Sequence, residues 1–455
     1  MIISDSKNRK MADWCIAIED FSAQMFSFLQ VSETLIPEMV QRQESEIFAF
    51  MDLHRHLLSE DEYAEFSRAV EWFGGSLGKI FENRDGVAQR KEGGEVHEKA
   101  DGEADGKSFS FRSANASSAF GQVIFDSIMG VKADPREDML RKSLLVSAVS
   151  TFEVLFGRLA ERVYRVNKSA LNESEYKFSL QELAEFASMD DAREFLVERR
   201  IAALMRDSVD GWGRWLGKAV KGVSMEDLPI DWPSTREVFA RRNLVVHNGG
   251  VVNRIYLSII NDLGGNGGEV KLGAKLKIDK QYFAEGVQGL LALGILLSAD
   301  VAGKLHKREA RELSSVLIRI SDIAVRRKAW SVVEALSAYL LRGDLNRGVH
   351  LRAQLLSWTA RRGKYGPDAI RGEVEEWDVS GLSEEFVHCK KVLIGESEEA
   401  VRLIEELLAR QKLTLIDLAT NPIYAEVASE VPSFIRAKEL GSEDAPRADE
   451  SASGE

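Results

Sequence analysis

Cysteine is nearly absent: Cys15 and Cys389 are the only two in 455 residues. Two cysteines this far apart form no C-x-x-C pair and no ladder of zinc-ligand spacings, which excludes a disulfide scaffold and a zinc module and points to a reducing compartment, the cytoplasm. Proline is equally scarce, at eight residues, and few prolines with abundant Leu, Ala, Glu and Arg favour long helices over a sheet-rich fold. A positive excess is also missing. With 60 Lys and Arg against 73 Asp and Glu the net charge is −13. Such a chain is repelled by phosphate over much of its surface, so any nucleic-acid contact must come from a local basic patch. Long apolar runs are lacking too. The most apolar stretch, Val287 to Val301, is too short to span a bilayer and contains Asp300, so a buried helix and no membrane are expected. The N-terminus is polar and has no signal-peptide core.

What is present is helical periodicity. A length of 455 residues points to two or three domains, and 44% hydrophobic residues supply the material for a core. Phe21, Met25, Phe28 and Leu29 share a helical face within a region spanning 1–82, where Pro37 is expected to separate two helices. Residues 83–118 begin with a run almost devoid of large apolar side chains, which cannot offset its own ordering entropy and reads as a flexible linker. Residues 119–300 carry a strong apolar helix from Leu144 to Tyr164, further helices near 179–187 and 191–206, and one opened by Ser234, read as an N-cap with Glu237 completing a capping box. Gly249 and Gly250 are placed to end it. Residues 301–440 read as helical hairpins, one across Gly343-Asp344 from Val325–Leu341 to Leu345–Arg361, another across Gly395 from Glu384–Ile394 to Ser397–Arg410. The acidic stretch 441–455 reads as a disordered tail. The glycine-rich NDLGGNGGE lacks the context of a phosphate loop, and His388-Cys389 lacks the partners of a cysteine nucleophile.

The chemistry-bearing motif is Arg242-Asn243-x-x-x-His247 within FARRNLVVHNGG. Together with the upstream apolar helix bearing Glu153 and the capped helix holding the motif, it resembles the R-x-x-x-x-H signature of HEPN domains, over about 150 residues. The hairpins that follow resemble tetratricopeptide-like segments without their full consensus. The resemblance implies an all-α, HEPN-like helical bundle with flanking helical hairpins, acting as a metal-independent endoribonuclease, in many such proteins as a toxin or in antiviral defence. It also implies a homodimer pairing two such helices.

The residue chemistry stands beside the resemblance. Cleavage of RNA by its own 2′-OH needs a proton taken from that hydroxyl and one given to the 5′-oxygen, and histidine titrates near neutrality. A planar, permanently charged guanidinium stabilises the phosphorane oxygens. His247 and Arg242 are therefore the candidate catalytic residues, with Asn243, four residues before His247, on the histidine's face. No cofactor and no metal enter this scheme. Arg241 either holds phosphate or is a solvated charge; Asn248 contacts substrate or caps the helix; Glu153 orients Arg242 or faces solvent. Arg193, Arg199, Arg200, Arg206, Arg214, Lys218 and Lys221 surround Trp212 and Trp215, either an RNA surface or an ordinary helix face with its Trp pair in the core. The alternative to an enzyme is a non-catalytic HEPN-like scaffold that binds a protein partner through 301–440.

Overall fold

The computed structural model describes residues 2–71, 110–121, 136–167, 178–264, 270–306, 310–343, 346–420, 422–424 and 427–436. Most of the expected linker at 83–118 and all of the expected tail at 441–455 lie outside them. Every extended element among the described residues is a helix, apart from one antiparallel bridge between Val251 and Lys275. The all-α reading holds.

The chain divides into two compact units, 1–29 with 142–455, and 30–141. The boundary falls inside the first helix, α1 (Ile2–Leu57), which runs through Pro37 rather than stopping there. An interior proline removes one ladder hydrogen bond and crowds the carbonyl four residues back, a local cost that the rest of this 56-residue helix carries.

The smaller unit contains α2 (60–71) and α3 (114–121). Ser59 and Glu62 form a reciprocal capping pair at the start of α2. Glu62 also accepts hydrogen bonds from Ser113 Oγ at 2.7 Å and Asn115 Nδ2 at 3.1 Å, which hold its carboxyl down at about 2. Glu65 accepts from the backbone N–H groups of Arg112 and Ser113. Phe66 and Ala69 then pack against Ala116, Ala119 and Phe120. The last residues of the expected linker are thus the ordered start of α3.

The larger unit contains α4 (Arg136–Val166, from Lys142 on), α5 (Leu180–Ala184), α6 (Met189–Leu204), α7 (Val209–Ala219), α8 (Trp232–Asn248), α9 (Arg254–Asp262) and α10 (Lys280–Leu305). It continues with α11 (Ala310–Arg326), α12 (Trp330–Leu341), α13 (Arg347–Tyr365), α14 (Arg371–Glu376), α15 (Glu384–Ile394), α16 (Ser397–Ala409) and α17 (Leu415–Thr420). Helices α4 and α10 are long and apolar enough to cross a membrane, but α10 is packed against α8, α11 and α12 and its residues from Leu290 to Ala299 are buried on every side. Gly294 permits this: a Cβ there would meet the Phe21 ring at 2.4 Å and Leu155 at 2.9 Å.

One apolar core runs from Trp14 and Phe21 through α4, α7, α8 and α10 to Ala360 in α13. The first 29 residues therefore belong with the later helices rather than with 30–82, and no core boundary falls at 300. The second hairpin forms as its sequence indicates, with α15 ending at Gly395 in the left-handed region (φ +82°). In the first, the leading arm is shorter than expected, Trp330–Leu341, because Lys328 at φ +55° breaks the chain between α11 and α12, and the second arm runs on to Tyr365.

His388 of α15 is wholly buried. Since a carbonyl only accepts, its Nδ1–H donates to the Glu384 carbonyl at 3.1 Å, and Nε2 accepts from the Tyr424 hydroxyl. Burial pushes this imidazole down to about 4 from its ordinary 6.5. Below pH 6.5 the unfolded chain takes up a proton that the folded chain cannot hold, so stability falls as pH drops towards 4, by on the order of 3 kcal/mol. Urea unfolding at pH 7 and pH 4 is expected to show this loss in the native protein and a smaller one in His388→Gln.

Candidate functional site

Helix α8 starts three residues before the expected cap. Asp231 is the N-cap: its carboxylate accepts from the Ser234 N–H at 3.1 Å and from Ser234 Oγ at 2.7 Å, with Pro233 in the first turn where its missing N–H costs nothing. Ser234 and Glu237 form no capping box. The helix ends as expected, with Gly249 (φ +60°) and Gly250 (φ +80°) both left-handed and the Gly250 N–H bonded to the Leu244 carbonyl at 3.1 Å.

Three faces of α8 do different work. Val238 and Phe239 enter the main core, where Phe239 meets Phe152 edge-on at 5.4 Å. Ala240 and Leu244 pack on Val252 and Tyr256 beyond the helix end. The third face carries Asn243, Val246 and His247, all exposed. Neither Asn243 nor His247 has a hydrogen-bond partner among the described residues.

Arg242 turns to the side of that face and forms an ion pair with Glu153 of α4; the two side chains are 18% and 27% exposed. Burial pushes the guanidinium below its ordinary value, though an arginine stays charged at any physiological pH. Its Nε is buried without a hydrogen-bond partner among the described residues. A guanidinium thus sits beside an exposed histidine-bearing face, with one carboxylate neutralising part of its charge.

Arg241 lies elsewhere and is not available to phosphate in this arrangement. It donates to Glu237 at 2.8 Å, to the Tyr256 hydroxyl at 3.2 Å and to the Lys277 carbonyl at 3.4 Å, and its guanidinium lies 3.8 Å from the Tyr282 ring centre. Both tyrosine hydroxyls donate to the same Glu237 carboxylate, Tyr282 at 2.5 Å. Burial opposes the Arg241 charge, but Tyr282, Glu237 and Tyr256 outweigh it and hold its pKa above the ordinary value. This cluster ties α8 to α9 and α10. Asn248 turns its amide back to the Val251 carbonyl, so it closes the helix end.

The basic stretch does not become a stacking platform. Trp212 is buried, donates its indole N–H to the Leu204 carbonyl at 2.8 Å and stacks on Phe156 at 4.8 Å. Trp215 packs against Tyr164 and Phe156. Arg193, Arg199, Arg206, Arg214, Lys218 and Lys221 are exposed and Arg200 is half-buried, while the tryptophans build the core. Glu237, Tyr256 and Tyr282 were not singled out as a group by the sequence, because their spacing of 19 and 45 residues carries no periodic signal.

No family model, curated protein or solved structure matches this chain.

Proposed function

We propose that the chain is a metal-independent endoribonuclease of the HEPN type, cleaving RNA through the ribose 2′-OH. The observation that carries this reading is the pairing on α8 of Arg242, set by Glu153, with an exposed His247 that has no competing partner among the described residues. His247 removes the 2′-OH proton; the 2′-oxygen attacks phosphorus; the 5′-oxygen leaves with a proton, giving a 2′,3′-cyclic phosphate and a 5′-hydroxyl. Arg242 stabilises the charge on the non-bridging oxygens. Asn243 lies on the same face to orient the phosphate. One chain offers a single histidine for two proton transfers, so the working unit is a homodimer that brings two α8 helices together. A cytoplasmic toxin or antiviral effector, with 301–440 engaging a protein partner, is the setting this reading gives it.

A second reading is a non-catalytic HEPN-like scaffold. The Glu153 ion pair favours it, because a guanidinium already neutralised by a carboxylate has less charge to offer a phosphorane.

Incubating single-stranded RNA with the protein, with and without a chelator, separates the two. Equal cleavage in both, and none of 2′-O-methylated RNA, is expected; activity lost on chelation and restored by a divalent ion would contradict the proposed chemistry. Light scattering is expected to give twice the chain mass. A strict monomer would count against the composite site.

A further inference from the structure

A chain of net charge −13 holds an RNA strand only where that charge is locally reversed. Such a reversal stands at the end of α8. Past the left-handed stop at Gly249 and Gly250, residues 250–252 lie antiparallel to 273–276. The Leu276 N–H donates to the Gly250 carbonyl at 2.9 Å and the Val252 N–H to the Ala274 carbonyl at 2.8 Å. The Gly273 N–H returns to the Val252 carbonyl at 2.9 Å, and Val251 stands opposite Lys275. Val251 is four residues past His247, so this ribbon begins where the histidine-bearing helix ends.

The ribbon has two faces, because successive side chains of extended backbone point to opposite sides. Leu276 packs on the cluster of Ala240, Leu244, Val252 and Tyr256, and Ile278 is buried in the main core. Lys275 and Lys277, which alternate with them, are exposed. Lys271 is exposed at the turn, and Arg254, also exposed, opens α9 two residues after Val252. Residues 270–278 carry three lysines and no acid. Arg254, Lys271 and Lys277 have no carboxylate in ion-pair range among the described residues. Of the described carboxylates in 250–280, Asp279 is committed to capping α10, accepting from the Tyr282 N–H at 2.8 Å, and Asp262 stands at the far end of α9, about 12 Å from its start.

Lys142 of α4 adds a further positive charge. It is 7% exposed, and a Cβ placed on Gly250 would come 3.8 Å from its ammonium nitrogen. The ammonium therefore lies against the C-terminal end of α8. The helix dipole is negative there, and Lys142 offsets a charge that would repel phosphate beside His247.

We propose that this ribbon is the track that holds the backbone of the RNA substrate, with Arg254, Lys271, Lys275 and Lys277 on the phosphates of a strand leading away from the Arg242–His247 face. Contacts of this kind position a strand without reading its bases, so the track takes RNA irrespective of sequence. The inference rests on the ribonuclease reading, but it is tested without turnover.

The probe is a mixed-sequence, single-stranded 2′-O-methylated oligonucleotide, which the proposed chemistry does not cleave. Its binding to the full chain is followed by fluorescence anisotropy between about 50 and 200 mM salt. Saturable binding is expected, with log affinity falling against log salt at a slope of about −3, the value for four phosphate contacts on a single strand. Lys275→Gln with Lys277→Gln is expected to weaken binding by about tenfold or more and to flatten the slope by about 1.4, at an unchanged melting temperature. Arg214→Gln with Lys218→Gln, two exposed bases of α7 outside the ribbon, is expected to stay within about twofold of the native affinity. Four results would each overturn the proposal: no saturable binding, a ribbon variant with native affinity and slope, an α7 variant that loses as much as the ribbon variant, or binding to phosphatidylserine vesicles in place of the oligonucleotide. The ribonuclease reading fails separately. Ribbon-dependent binding by a native chain that cleaves no unmodified RNA sinks the nuclease and keeps the track. Cleavage by a native chain whose binding ignores the ribbon sinks the track and keeps the nuclease.

Discussion

Replacing His247 with alanine is expected to lower RNA cleavage by about 10²–10⁴-fold, the contribution of a positioned general acid–base group. The structure makes this a clean experiment. His247 is exposed and has no hydrogen-bond partner among the described residues, so its truncation should move stability by no more than about 0.5 kcal/mol. Rate and melting temperature then report different things. A large rate loss at unchanged melting temperature supports the catalytic assignment. A well-folded His247→Ala protein that cleaves at the native rate would sink it, and cleavage of DNA at a similar rate would sink the 2′-OH mechanism. Arg242→Ala is expected to lose cleavage too, but it leaves Glu153 partly buried without its partner, so its melting temperature should also fall. The scaffold reading predicts only that second effect.

Glu237→Ala is expected to destabilise the folded chain by about 3–5 kcal/mol, the cost of removing one member of a buried charged pair. Arg241 and Glu237 are only 15% and 13% exposed, and Tyr256 and Tyr282 both donate to this carboxylate. One substitution therefore strands a guanidinium and two hydroxyls together. The double variant Glu237→Leu, Arg241→Met is expected to recover part of the loss, since it removes the unpaired charge but not the two orphaned hydroxyls. Chemical denaturation measures both. If Arg241 instead served RNA, Glu237→Ala would change RNA affinity and leave the unfolding midpoint in place, and that result would overturn the structural role given to the cluster.

The same cluster shows where the sequence runs out. Ser234 and Glu237 stand three apart ahead of an apolar run, which is the pattern of a capping box. Asp231, three residues earlier, makes the competing pattern with Ser234, and Glu237 goes to Arg241, Tyr256 and Tyr282. Both caps are locally consistent; the partners from α9 and α10 decide between them. Trp212 behaves likewise. Arginines interleaved with tryptophans describe a nucleic-acid surface and an amphipathic helix equally well, and the aromatic cluster with Phe156, Phe152 and Phe239 settles which.

Features set by a residue and its near neighbours were legible from the chain alone: the helical class, the long apolar helix α4, the burial of α10, the left-handed stops at Gly249 and Gly395, the α15–α16 hairpin, and the position of Arg242, Asn243 and His247 on one helix. Periodicity, capping and positive φ act over a few residues, and the sequence states them directly. Tertiary structure decided what depends on residues far apart: that the first 29 residues join the core of 142–455, that this core passes position 300 without a break, that Glu153 meets Arg242, and that Asp300 meets Tyr339. Asp300 was visible only as a charge that argued against a membrane span. Its hydrogen-bond partner Tyr339 stands 39 residues further along the chain, a separation closed by core packing, which local pattern does not encode.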